Sequence, residues 1–112
     1  MIEKRQQRRV QLFYHLRVFD RVSGNYTGRL VDITMNGIRI LNEKPFDTGT
    51  EYSFRLDLTK VMSFEQHVDF DAECIWQERE FSSGVYNSGF KIIKITKKAR
   101  GIIPLLIEQF GE

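Results

Sequence analysis

The sequence predicts an all-β fold with a C-terminal helix, in the form of a small six-stranded antiparallel β-barrel. Two observations lead there. Apolar residues recur at every second position in successive short segments between residues 10 and 95, the period of a half-buried strand. Turn-forming residues separate these segments, and no long helical pattern comes between them. Closing such a meander into a barrel removes the open edges that a flat sheet would expose.

Each element follows from its own pattern. Val10, Leu12, Tyr14, Leu16 and Val18 alternate with Gln11, Phe13, His15, Arg17 and Phe19, which reads as a long first strand. Ser23-Gly24-Asn25 is a turn signal, and Tyr26 to Ile33 is the second strand. Met35-Asn36-Gly37 interrupts it, and Ile38 to Leu41 resumes as the third. Pro45 and Gly49 bracket a loop. Tyr52, Phe54, Leu56 and Leu58 form the fourth strand. Val68, Phe70, Ala72, Cys74 and Trp76 form the fifth, with Trp76 on the same apolar face as the others. Ser82-Ser83-Gly84 turns the chain into a sixth strand, Val85 to Ile95. Thr96 suits an N-cap. Ile102, Ile103, Leu105, Leu106, Ile107 and Phe110 suit a short helix that covers one barrel mouth or meets a partner. Gly101 and Pro104 fit poorly inside a helix, so the expected arrangement is a turn up to Arg100 and a fresh helix with Pro104 in its first turn.

At 112 residues the chain is expected to be one domain. Residues 1–9 form a polar, flexible basic arm, residues 10–95 the barrel and residues 96–112 the helical tail. Apolar residues make up 41% of the chain, enough for one core. No stretch approaches the roughly 20 apolar residues of a membrane span, and the N-terminus has no signal-peptide core. One cysteine, Cys74, excludes an internal disulfide and fits a reducing, cytoplasmic setting. A net charge of only +2 argues against a general nucleic-acid binder. The charge is unevenly spread, however. Lys4, Arg5, Arg8 and Arg9 cluster at the start, Lys91, Lys94, Lys97, Lys98 and Arg100 form a second basic stretch, and acids dominate from Glu65 to Glu80. A local basic patch on a near-neutral protein suits a small anion better than a long polyanion.

Two stretches carry chemistry. Arg5-Gln6-Gln7-Arg8-Arg9 places guanidiniums four residues apart just before the first strand. Asp32-Ile33-Thr34-Met35-Asn36-Gly37 places a carboxylate, a hydroxyl and a glycine in a turn between two apolar segments. Arginine forks onto phosphate or onto guanine O6 and N7. A carboxylate accepts from guanine N–H groups, a hydroxyl donates to a phosphate oxygen, and glycine permits close approach to the backbone. An R-x-x-x-R arm ahead of a D-x-S-x-x-G-like turn resembles the PilZ family of bacterial cyclic di-GMP receptors. The similarity extends in order through Pro45-Phe46-Asp47-Thr48-Gly49-Thr50, Ala72-Glu73-Cys74-Ile75-Trp76 and Tyr86-Asn87-Ser88-Gly89-Phe90-Lys91-Ile92 to the apolar tail. One departure is that Thr34 stands where the family has serine.

The resemblance implies a split-barrel fold, no cofactor, and a cyclic di-GMP ligand held by Arg5, Arg8, Arg9, Asp32, Thr34, Asn36, Gly37 and Trp76. Arg5 and Arg9 would grip guanine edges and phosphates as the arm wraps the ligand, while Arg8 either adds a third contact or sits in solvent. Asp32 would accept from a guanine, Thr34 would donate to a phosphate, and Gly37 would leave room. Each has a plainer reading as well. The arm reads as a solvated charge run, Asp32 and Thr34 as caps of their own turn, and Gly37 as a site of positive φ. Asn36 fits the shaping of the turn, and Trp76 the core or stacking on a base, the latter worth roughly 1–3 kcal/mol. Cys74 reads as buried and inert.

Charge-assisted hydrogen bonds contribute roughly 1.5–3 kcal/mol each. Two arginines, Asp32 and Thr34 together therefore exceed the roughly 8 kcal/mol of a micromolar complex. Ordering the arm opposes this by about 1–2 kcal/mol per residue, which makes it a natural switch. An enzyme is not expected. His15 and His67 lack metal-ligand spacing, and no nucleophile elbow, P-loop or dinucleotide fingerprint appears. The expected function is a receptor or adaptor that changes arm conformation on binding and signals to a protein effector, as a monomer or weak dimer. Two alternatives are a PilZ-like interaction module that binds no nucleotide and a small RNA-binding barrel.

Overall fold

A computed structural model describes the backbone of residues 10–110 and the side chains of residues 15–109. Six strands precede one helix: β1 (Val10–Asp20), β2 (Tyr26–Ile33), β3 (Gly37–Asn42), β4 (Glu51–Asp57), β5 (His67–Arg79), β6 (Tyr86–Ile95) and α1 (Lys97–Phe110). They form a closed barrel in the order β1-β2-β3-β6-β5-β4, with every neighbouring pair antiparallel. The expected six-stranded barrel is therefore present.

Alternation sends one side of each strand inward. Leu16, Val18, Leu30, Ile40, Phe54, Leu56, Val68, Phe70, Ala72 and Cys74 are all buried in one core. At its centre, Phe90 meets Phe46 and Phe54 edge-on, with centroids 5.0 and 5.2 Å apart, a favoured aromatic geometry. Gly24, Gly49 and Gly84 take positive φ in the connecting loops, where a glycine avoids the Cβ penalty.

The alternation fails at two places that matter. Leu30 pairs with Ile40 but Asp32 with Arg39, so β2 carries an irregularity between them. Cys74 pairs with Phe90 but Trp76 with Gly89, so β5 carries one extra residue there. Strict alternation from Val68 would turn Trp76 inward, as the sequence pattern implies. The bulge instead turns it to the outer face, and β5 runs on to Arg79.

The tail also departs from expectation. α1 is one continuous helix with Gly101 and Pro104 inside it, not a turn followed by a new helix. Thr96 is the N-cap: its Oγ1 accepts from Ala99 N (3.1 Å) and donates to the Asp69 carbonyl (3.2 Å), tying the helix start to β5. Ile102, Ile103 and Leu106 enter the barrel core, while Gly101 and Pro104 lie on the exposed face. Burying three such side chains is worth roughly 1.5–3 kcal/mol each. That exceeds the roughly 3 kcal/mol penalty of an interior proline, so the helix runs through it.

The outer face of β1, β4 and β5, with Arg21 just past the end of β1, carries an ion-pair ladder. Arg17 pairs with Asp57 (2.6 Å), Arg21 with Asp71 (3.0 Å), and Arg55 grips both oxygens of Asp69 (2.9 and 3.1 Å). The hydrogen bonds from Arg55 hold the Asp69 carboxyl below the usual carboxylate range, against an opposing effect of partial burial.

Two outcomes follow. Gly101→Ala places a methyl where nothing lies within 4 Å, so it should stabilise the protein by about 0.5–1 kcal/mol; urea unfolding that shows no gain refutes a continuous helix at that position. Because Asp69 is held below its unfolded value, its contribution is present above about pH 4 and disappears as pH falls through the lower folded value. Arg55→Met should therefore show a shallower loss of stability between neutral and acidic pH than the parent, as read by denaturation at several pH values.

Candidate functional site

The β2–β3 turn closes on itself. Thr34 N donates to the Gly37 carbonyl (2.8 Å). Thr34 Oγ1 accepts from Gly37 N (2.9 Å) and Asn36 N (3.2 Å) and donates to the Gly37 carbonyl (3.3 Å). The hydroxyl thus caps its own turn, one of the two roles open to it from sequence. Asn36 is exposed and shapes the turn: its carbonyl accepts from Ile92 N at 2.7 Å and fastens the turn to β6.

Gly37 does not have positive φ, contrary to the plain reading of that residue. It opens β3, and a Cβ there would stand 3.0 Å from the Phe90 carbonyl. Close approach of two backbones is the reason for a glycine at this position.

Asp32 is almost fully buried yet lies on the outer side of the barrel wall, opposite Arg39. Arg39 Nε donates to Asp32 Oδ2 at 2.7 Å, and Arg39 Nη1 donates to Asn87 Oδ1 at 2.6 Å. Asn87 Nδ2 in turn donates to Glu80 Oε2 at 3.3 Å. A polar row therefore runs across β2, β3 and β6 to the β5–β6 turn.

Trp76 lies over Gly89. A Cβ on Gly89 would collide with the indole Nε1, Cε2 and Cδ1. The indole is 37% exposed, so this ring belongs to the surface and not to the core that alternation assigned it. Beside it sits a cavity of about 140 Å³ lined by Asp32, Thr34, Gly37, Ile38, Ile75, Trp76, Gly89 and Phe90.

Four of the residues singled out in the sequence (Asp32, Thr34, Gly37 and Trp76) thus converge on one cavity, with Asn36 in the turn beside them. Arg5, Arg8 and Arg9 lie outside the described residues. β1 begins at Val10, whose partner is Ile33, and Gln11 pairs with Asp32. The polypeptide therefore enters the barrel at the edge of this cavity. Sequence reading missed Arg39, Asn87 and Gly89. A carboxylate and a guanidinium either side of a short turn were a signal for Arg39. The turn register that pairs Ile33 with Ile38 also sets Asp32 opposite Arg39, and the β2 irregularity beyond it lets this pair face outward although Leu30 faces the core.

A larger cavity of about 490 Å³ sits at the other end of the β2–β3 hairpin. Asp20 and Glu43 are offset there by Arg29 and Lys44, so it selects neither sign of charge. Cys74 is fully buried, and its thiol is pushed up by burial, with Asp47 adding to the effect, so it is not poised as a nucleophile. Among the described residues no cluster of His, Cys, Asp or Glu could hold a metal ion, and no helix is long and apolar enough to cross a membrane.

The architecture defines a class: a closed six-stranded barrel, capped by a C-terminal helix, whose outer wall rather than its interior carries a polar-rimmed cavity. The sequence matches the PilZ domain over residues 3–109, and the chain belongs to the PilZ family. Among solved structures it is similar to the PilZ domain with c-di-GMP of YcgR from Escherichia coli, with TM-score 0.72 and 14% identity over 96% of this chain and 92% of that one. It is also similar to the Bacillus subtilis inhibitor of motility MotI/DgrA (TM-score 0.71, 13% identity, 96% of this chain and 51% of that one). YcgR in complex with c-di-GMP from Escherichia coli gives TM-score 0.68 at 14% identity, over 96% and 48% of the two chains. The chain thus spans about half the length of MotI/DgrA and of that YcgR chain. No curated protein matches the sequence.

Trp76 is the single tryptophan of the chain, so its fluorescence reports this site alone. Gly89→Ala should displace the indole and red-shift its emission while the barrel stays folded. An unchanged spectrum would show that the ring does not rest on Gly89.

Proposed function

We propose that this chain is a cyclic di-GMP receptor that acts as an adaptor, with the nucleotide seated on the outer wall beside the β2–β3 turn. The observation that carries this reading is the convergence of Asp32, Thr34, Gly37 and Trp76 on one cavity at the point where the polypeptide enters β1. These residues come from β2, the turn, β3 and β5, and a core alone has no need to gather them.

In this reading a guanine enters the cavity and lies against Trp76, with its N–H edge toward Asp32. The Thr34 turn and Gly37 let the phosphodiester pass close to the backbone. Arg5 and Arg9 close over the ligand and fork onto phosphate and guanine edges, with Arg8 as a third cation. Reach is sufficient: an extended chain covers at most about 3.3–3.6 Å per residue, so Arg5 is within about 18 Å of Val10. Ordering residues 1–9 over the site converts binding into a change of surface that a protein effector reads. The chain then functions as a binding module without catalysis, in the cytoplasm, as a single domain of residues 1–112 and a monomer or weak dimer.

The second reading, an interaction module that binds no nucleotide, draws support from one feature. The Thr34 hydroxyl is already engaged within its turn and Asp32 is held by Arg39. Calorimetry separates the two. The receptor reading expects a dissociation constant between sub-micromolar and tens of micromolar, equivalent to about 7–9 kcal/mol. Absence of heat at high ligand excess favours the interaction module. Arg9→Ala should abolish binding, and Trp76→Ala should weaken it by about 1–3 kcal/mol. Unaltered affinity in Arg9→Ala removes the arm from the site.

A further inference from the structure

We infer that Arg39 is a positioning residue for the nucleotide: it acts through Asp32, whose carboxylate it orients, rather than by touching the ligand. This inference rests on the receptor reading above.

The geometry ties Arg39 down at two points. Its Nε meets Asp32 Oδ2 at 2.7 Å and its Nη1 meets Asn87 Oδ1 at 2.6 Å. Both are short, and the first is charge-assisted. Asn87 is itself held by Glu80, so the guanidinium is braced from the β5–β6 side as well as from β2. The side chain of Asp32 is 5% exposed and that of Arg39 26% exposed. A carboxylate this buried needs a charged, hydrogen-bonded partner to remain in place. Arg39 is not among the residues lining the cavity, whereas Asp32 is. Arg39 therefore stands behind the carboxylate and Asp32 faces the ligand, with Asn87 standing behind Arg39 in turn. A planar fork locked at both ends sets the carboxylate orientation that a guanine N–H edge must match.

The test is a double-mutant cycle read by calorimetry with cyclic di-GMP. Arg39→Met should weaken binding by about 10–100-fold, the size of a lost charge-assisted bond. In an Asp32→Asn background the same substitution should have little further effect, because its route to the ligand is already broken. Asn87→Ala should give a smaller loss of the same kind, also absent in the Asp32→Asn background. Arg39→Lys should recover only part of the affinity, since it keeps the charge but not the fork.

Equal weakening by Arg39→Met in both backgrounds overturns the inference and makes Arg39 a direct ligand contact. Undiminished affinity in Arg39→Met and Asn87→Ala overturns it as well. Should Arg39→Met fail to fold, the cycle between Asn87→Ala and Asp32→Asn decides by the same criterion. If the parent protein itself gives no heat, the receptor reading fails and this inference falls with it. A parent that binds alongside an additive cycle removes only the role of Arg39.

Discussion

Strand register is the constraint on which the rest of this structure depends. In a closed barrel every strand has two neighbours, so a side chain faces either the core or the outside according to the pairing on both sides. Most of the chain obeys simple alternation, and its inward residues build the Phe46–Phe54–Phe90 core. The outer cavity exists because two strands break the rule. The β5 bulge between Cys74 and Trp76 turns the indole onto Gly89. The β2 irregularity between Leu30 and Asp32 turns the carboxylate, which the hairpin register pairs with Arg39, onto the outer face. Without them the outer wall would lack both its aromatic and its acid.

The outer cavity is bounded by groups that hold one another in place. Thr34 and Gly37 exchange hydrogen bonds within the turn, Asn36 fastens that turn to β6, and Arg39 fixes Asp32. Groups held this way need no rearrangement to keep their positions on the barrel wall. Gly37 and Gly89 have related parts here, since each is a glycine because something lies close above it. The neighbour is the Phe90 carbonyl for one and the Trp76 ring for the other.

The two ends of the β2–β3 hairpin differ in kind. Toward its far end the interior holds a satisfied polar cluster, in which Ser88 Oγ donates to Asn42 Oδ1 (2.8 Å) and Gln77 Nε2 donates to the Phe46 carbonyl (2.9 Å). That cluster anchors the loop before β4 and presents a wide cavity of balanced charge. At the turn end the polar groups lie on the outer wall, around the smaller cavity. The helix adds rigidity, since Ile103 and Leu106 enter the same core as Phe70 and Val68.

Alternation, turn residues and the order of motifs sufficed, from sequence alone, to establish six antiparallel strands, the barrel, the buried Cys74, the Thr96 cap and the turn between β2 and β3. Those signals are local: a period of two and a glycine in a loop are written within a few residues. What only the tertiary structure decided were the outward position of Trp76, the Asp32–Arg39–Asn87 row, the reason for glycine at 37 and 89, and the unbroken helix through Pro104. Each depends on a partner distant in sequence. A bulge is defined by the strand across from it, and a glycine by the atom that approaches it. A proline is tolerated when Ile102, Ile103 and Leu106 bury enough apolar surface to outweigh its penalty.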